Sequence, residues 1–289
     1  MSGELDLGPV FAAAGVEGWL HATDLESGRE VGHRPDSALP IASIFKLPLL
    51  VELSRQADAG GLDLTERITV GPRQRTFGPT GLSVMLDEVT ISLRDLAYLM
   101  IAVSDNTAAD VLSARVGLEA VNAMLRSFGL TRTQVVMNTT SLYASMAEDT
   151  GHDWPYQEPE DLARMRVLDP ARANSSTPRE MTRLLGLIWT DRAASPELCA
   201  WMRGLLGLQV WPHRLASGFP YDDVEVSGKT GSLPTIRNEV GVVEYPDGGR
   251  YAVAVFTRAF SPAANLPRAD AVIGTTAHLA VDHLRAGRA

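Results

Sequence analysis

The chain changes pattern twice, and that arrangement limits the folds open to it. Strand-like segments stand near both ends. Residues 17–24 and 30–33 flank the turn residues Ser27 and Gly28; residues 224–230, 237–244 and 251–258 follow one another, the last two joined by Pro246-Asp247-Gly248-Gly249. Between the two groups helical periodicity dominates. Consecutive hairpins build an antiparallel sheet, which argues against a Rossmann-type parallel one. The pattern predicts an α/β domain formed by residues 1–40 and 217–289, its antiparallel sheet flanked by helices. An all-α domain, residues 41–216, is inserted into it. A helix over residues 8–14, ended by Gly15, and a final helix over 262–284, regular from about Pro267, would cover the sheet.

The helical block carries clear boundary signals. A helix from Ala42 to about Ala57 is stopped by Gly60-Gly61, with Pro48 expected to kink it. Leu64, Ile68 and Val70 suggest a short strand. Ser92, with Asp95 three residues on, reads as the cap of a helix whose buried stripe is Leu96, Leu99, Met100 and Val103. That helix stops at Ser104-Asp105-Asn106. Helices over 107–116 and 118–128 are closed by Gly117 and Gly129. Thr177, Pro178 and Glu180 open a helix to about Trp189, and another spans 196–205. Residues 131–177 lose periodicity and carry Trp154, Pro155, Pro159 and Pro170. So long an unpatterned run in a compact domain is usually functional. Short helices are expected within it at 141–147 and 159–165.

Composition removes several function classes. With 289 residues, 45% of them hydrophobic, the chain can bury a large core. A net charge of −9 gives no basis for binding nucleic acid or an anionic membrane surface. The single cysteine, Cys199, excludes an internal disulfide framework. No apolar run is long enough for a membrane helix. Residues 1–6 have neither a basic nor an apolar region of a leader, so the chain as it stands reads as cytoplasmic, and as secreted or periplasmic if a leader was removed. The histidines form no metal-ligand spacing, and no Gly-rich phosphate loop is present. No metal, no cofactor and no partner chain is called for; a monomer is expected.

Three triplets carry the chemistry. The first is in Ser43-Ile44-Phe45-Lys46. A spacing of three puts serine and lysine on one helical face, roughly 5–6 Å apart at Cβ. A neutral lysine there can take the hydroxyl proton, and free N–H groups of the first turn point at the attacked group. The second is Ser104-Asp105-Asn106 at a helix end. The third is Lys229-Thr230-Gly231 on a strand. Taken singly, each is common in unrelated chains as a cap or a solvated lysine. Together, in this order and in these structural contexts, they are specific.

These are the signatures of class A β-lactamases and penicillin-binding proteins, and the chain resembles that family. The likeness extends through Leu93–Met100, Val103–Ala109, Ser176-Thr177-Pro178 with Met181, and residues 237–243, and so spans about residues 10–285. It implies a metal-free serine hydrolase that acylates on the motif serine and pairs an α/β domain with an all-helical one. Ser43 is then the nucleophile, and Lys46 the near base or proton relay. Its oxyanion hole would use the N–H groups of Ser43 and Ser232. Ser104 would pass a proton toward the leaving nitrogen. Lys229 would supply positive charge beside Ser104 and toward a substrate carboxylate, with Thr230 and Ser232 as hydroxyl donors. Gly231 would let substrate lie against the strand as an extra edge partner. Asn106 would offer an amide to a substrate carbonyl, while Asp105 braces the turn. Arg214 and Arg237 are candidates for carboxylate support near Lys229.

One place departs from the family. Class A members carry Glu-Pro-Glu-Leu-Asn in a loop whose first glutamate activates the deacylating water. The nearest stretch here is Glu158-Pro159-Glu160-Asp161-Leu162, without the asparagine and within a longer loop. Glu158 is the candidate by motif, with Glu160 and Lys46 as alternatives. The expected function is opening of the cyclic amide of β-lactams through an acyl-enzyme on Ser43, with slow deacylation. The alternative is a penicillin-interactive peptidase, esterase or acyltransferase acting on another small-molecule or peptide-like substrate with a carboxylate.

Overall fold

The strands of the two chain ends meet in one sheet. The computed structural model describes residues 2–151 and 159–286. The first part of the chain forms β1 (Ser2–Glu4), α1 (Gly8–Ala13), β2 (Val16–Asp24), β3 (Glu30–His33) and a short β4 (Leu39–Pro40), then α2 (Lys46–Asp58). A small ribbon, β5 (Arg67–Val70) and β6 (Val89–Ser92), precedes α3 (Leu93–Ala102), α4 (Asn106–Val116) and α5 (Leu118–Ser127). There follow α6 (Thr139–Thr150), β7 (Ser175–Ser176), α7 (Pro178–Trp189) and α8 (Pro196–Gly207). The chain closes with β8 (Glu225–Leu233), β9 (Ile236–Glu244), β10 (Arg250–Ala259) and α9 (Pro267–Arg285).

The sheet order is β1-β3-β2-β10-β9-β8. Its five main strands are antiparallel, and β1, which the sequence did not signal, adds a parallel edge on β3. The pairing Tyr251↔Asp24 through Ala259↔Val16 is what joins the chain's two ends. Strand alternation then sorts side chains into two layers. On β10, Ala252, Ala254 and Phe256 face the helical block, with Trp19, Val240 and Val242. Tyr251, Val253 and Val255 face the other way, against Phe11 of α1 and Val272, Ile273, Ala277, Ala280 and Leu284 of α9. Asp270 in the first turn of α9 lies off that apolar face, and its carboxylate pairs with Arg214.

The predicted caps are present where the chemistry requires them. Ser92 Oγ accepts from Asp95 N–H, and Thr177 Oγ1 from Glu180 N–H. A kink at Pro48 is not what the local geometry calls for. Residues Ala42–Phe45 form a 3₁₀ turn and the regular helix starts only at Lys46, so Pro48 falls in the first α-turn, whose N–H groups have no intrahelical acceptor. In the unpatterned stretch, α6 is longer than expected. Asn138 caps it, accepting from Ser141 N–H, and Gly151 ends it in the left-handed conformation. Pro159–Ala163 is a 3₁₀ turn rather than a longer helix. Glu158 lies outside the described residues. Among the described residues no helix is long and apolar enough to cross a membrane.

Candidate active site

The site lies where the helical block meets the edge strand β8. The 3₁₀ turn stacks residues i and i+3, which brings Lys46 under Ser43 more directly than an α-turn would. Ala42, just before the serine, has a φ of +48°, which a non-glycine residue adopts at a cost of about 1–3 kcal/mol. Several contacts hold it there. Ile41 N–H donates to Asn174 C=O at 3.0 Å, and the Asn238 amide donates to Pro40 C=O at 2.9 Å. Gly231 supplies the third. A Cβ there would stand 2.5 Å from the Ile41 carbonyl oxygen and 3.3 Å from Ala42 Cβ. The close approach of the Ile41–Ile44 turn to β8 therefore requires a glycine at 231, a demand that the sequence did not signal.

Ser104 is the second residue held in a left-handed conformation, at φ +59°. Asp105 braces it: its carboxylate accepts from Leu82 N–H at 2.6 Å and Ala108 N–H at 3.2 Å, and from the Ser83 hydroxyl. Thr80 Oγ1 donates to Val103 C=O at 2.7 Å from the neighbouring loop.

Two fully buried lysines converge on Ser104 from opposite walls. Lys46 Nζ donates to Ser104 C=O at 2.7 Å, Ser104 Oγ at 3.3 Å and Asn106 Oδ1 at 2.8 Å. Lys229 Nζ donates to Ser104 Oγ at 3.0 Å and Thr230 C=O at 3.0 Å. Burying an ammonium costs several kcal/mol even after relaxation. The buried leucines of α2, at about 1.5–3 kcal/mol each, more than offset that and keep the helix in place. The charged state gives way instead. Burial lowers Lys46 to about 7, with Asp105 and Asp110 pulling it back. Lys229 is lowered well below its ordinary value by burial and by the Lys46 charge, against the pull of Glu239.

A cavity of about 590 Å³ opens beside this network, lined among others by Ser43, Ser104, Asn106, Thr230 and Ser232. The strand hydroxyls thus reach it. Asn106 is committed on both sides: Oδ1 accepts from Lys46, and Nδ2 donates to Phe77 C=O at 2.9 Å. Of the two arginine candidates, Arg214 lines the cavity and donates to Ser232 Oγ at 2.7 Å. Arg237 does not line it. Its guanidinium donates to the carbonyls of Leu233, Ile236 and Ala264. The strand period explains this, because Arg237 pairs across from Ser232 on β9 and not on the open edge.

Some cavity residues went unseen in the sequence. Tyr143, the fifth residue of α6, packs edge-on against Phe77 with ring centroids 5.5 Å apart. Trp211 and His213 face it from the segment after α8. Nothing local marks them, since both come from stretches without periodicity. Glu239 follows Arg237 and Asn238 in β9, so its charge did not stand out in the sequence, yet it is only 1% exposed.

A serine on a helix start, a lysine able to be neutral at its side and a second serine held between two lysines define a serine hydrolase of the class A β-lactamase type. The family model described as the beta-lactamase enzyme family matches residues 6–284, and the chain belongs to that family. It is similar to the beta-lactamase regulatory protein BlaB of Streptomyces cacaoi, 36% identical over 292 residues and covering 94% of each chain. A beta-lactamase of Streptomyces albus G is 28% identical over 247 residues, covering 82% of this chain and 70% of the relative. Among solved structures, a beta-lactamase from Sphaerobacter thermophilus superposes with a TM-score of 0.78 at 27% identity, covering 95% of this chain and 93% of the other.

Proposed function

We propose that the protein opens the cyclic amide of β-lactams through an acyl-enzyme on Ser43 and releases the acyl group slowly. The observation that carries this reading is the convergence of Lys46 and Lys229 on Ser104 at the wall of a cavity that Ser43 also lines. Neutral Lys46 takes the Ser43 proton as Oγ attacks the carbonyl carbon. The N–H groups of Ser43 and Ser232 receive the oxyanion. As the C–N bond breaks, Ser104 hands a proton to the leaving nitrogen and is resupplied from the lysines. Thr230, Ser232 and Arg214 face the substrate carboxylate, and its charge draws Lys229 back toward its protonated form.

Hydrolysis of the ester then needs a base about 2.6–3.2 Å from a water on the acyl carbonyl. Lys46 is the base beside the nucleophile, and it is protonated for part of the time near neutral pH. Glu158 is the motif's candidate for a better one. A misplacement of about 1 Å costs roughly 100-fold, and the lengthened segment that carries Glu158 supports slow release. A persistent adduct also suits the likeness to a regulatory protein, since the adduct itself can report the presence of a β-lactam. The same machinery applied to a peptide or ester is the second reading.

Time-resolved intact mass after mixing with a panel of β-lactams and acyl esters tests the proposal. The expected result is an adduct that forms fast and decays slowly, with Glu158→Gln acylating normally and accumulating more of it. Unchanged decay in Glu158→Gln moves the role to Glu160 or Lys46. Fast turnover without any adduct rejects slow release. Adducts with esters alone favour the second reading.

A further inference from the structure

We propose that Glu239 is a positioning residue, a buried carboxylate on β9 that holds two walls of the active-site cavity together through Gln209 and Leu215. This rests on the serine-hydrolase reading above and concerns the same site.

Glu239 sits across from Thr230 in the β8–β9 register. A carboxylate is an expensive group to bury and is normally found in a core only with a partner of opposite charge. Here the bonds go elsewhere. Oε1 accepts from Gln209 Nε2 at 2.7 Å and Oε2 from Leu215 N–H at 2.6 Å. The nearest guanidinium, Arg214, donates to Asp270, Gly231 C=O, Asn238 C=O and Ser232 Oγ. Gln209 is held in one orientation by its second contact, because its Oε1 accepts Thr230 N–H at 2.7 Å. A flipped amide would face a donor with a donor and an acceptor with an acceptor.

The two ends of this relay are both at the cavity. Thr230 N–H belongs to the outward set of β8, the residues whose backbone groups point away from β9. Gln209 closes that position, so the next outward N–H along the strand is that of Ser232, the expected oxyanion donor. Leu215 follows Arg214 directly, and Trp211, His213 and Arg214 form the facing wall. One carboxylate therefore fixes where the open strand edge begins and how far the opposite wall stands from it. A neutral amide cannot replace it, because two N–H donors converge on the two oxygens. The ionised form is likewise the one that fits. Burial raises Glu239 to about 7, while Arg214, Lys229, Leu215 N–H and Gln209 favour the charged state.

Glu239→Gln, Gln209→Ala and the double variant test this in the full chain, with a fluorescent penicillin as acylating probe and hydrogen exchange of the β8 peptide as a readout free of activity. Loss of a bond to a charged group predicts a rise of about tenfold or more in apparent KM in Glu239→Gln, with a smaller fall in the limiting acylation rate. Exchange at β8 accelerates in both single variants. Because both cut the same relay, Gln209→Ala adds little on top of Glu239→Gln. Wild-type KM rises as pH falls through about 7, and Gln209→Ala weakens that dependence. Unchanged KM and exchange in the single variants, or fully additive effects in the double, overturn the proposal. Should Glu239→Gln not fold, Gln209→Ala, at a half-buried position, carries the same test. A wild-type chain that the probe neither binds nor acylates sinks the hydrolase reading, and β8 exchange then decides the relay alone.

Discussion

The helical wall and the strand wall of the site each contribute one fully buried lysine to the same serine, yet the two are not equivalent. Lys46 leaves the first turn of α2 with three acceptors, and two aspartates on or beside α4 favour its charge. Lys229 leaves the middle of β8 with two acceptors and has the Lys46 charge against it. Two ammonium groups around one hydroxyl repel each other in a medium of low dielectric. One proton is thus favoured over two, and position decides the division of labour. Lys46, stacked under Ser43, is suited to move a proton. Lys229, beside the strand hydroxyls and Arg214, is suited to meet an anion.

The largest effect expected of breaking this division is on the helical wall. Ser43→Ala removes the acyl adduct entirely, and a peptide map that finds it elsewhere defeats the assignment. Lys46→Met retains the nucleophile but loses its base, with acylation slower by about 10²–10⁴. The wild-type acylation rate rises as pH climbs through about 7 and levels off above it, as Lys46 gives up its proton. A profile that stays the same in Lys46→Met assigns the inflection to another group. Stability carries the same signature. Lys46 is lowered in the folded chain from an ordinary value of 10.5 to about 7, so the unfolded chain holds more protons across that window. Its contribution therefore grows as pH rises from about 7 to 10.5. Urea unfolding of Lys46→Met against wild type reads that slope, and the variant is expected to be the more stable of the two near neutrality.

A smaller and more selective effect is expected on the strand wall. Lys229→Ala slows acylation by carboxylate-bearing substrates by about 10²-fold, and neutral esters of similar reactivity much less. Equal losses in both classes would leave no special role for the carboxylate. Smaller again is Gly231→Ala, which acts on the contact between the walls. Its Cβ would meet the Ile41 carbonyl at 2.5 Å, so a loss of about 1–3 kcal/mol is expected in urea unfolding, together with slower acylation from a displaced Ser43. Wild-type stability in that variant would show that the nucleophile turn yields freely.

Much of this was legible in the chain itself. The helix starts at Ser92 and Thr177 are local capping chemistry, and both bonds are made by the residues expected. The strands β2, β3, β8, β9 and β10 were legible from their β-branched and apolar runs bounded by turn residues, although the sheet buries both of their faces. The reading weakened where a residue's surroundings come from elsewhere in the chain. Gly231 was read through substrate alone, and the turn that packs against it comes from far away in sequence. Arg237 looked like a carboxylate ligand, but the β8–β9 register turns it toward three backbone carbonyls. Among the described residues of 131–177, short turns and one capped helix replace the long periods that make a sequence readable.

What the sequence determined by itself was the order of the motif residues and most of the helices and strands that carry them, because propensity, capping and hydrophobic period act over a few residues. What only the tertiary structure decided was their company. Two lysines are buried on one serine, Asn106 is committed to Lys46, and a carboxylate on β9 ties a glutamine and a loop to the strand edge. Burial and Coulomb forces act through space between residues distant in the chain, and no local pattern encodes those distances.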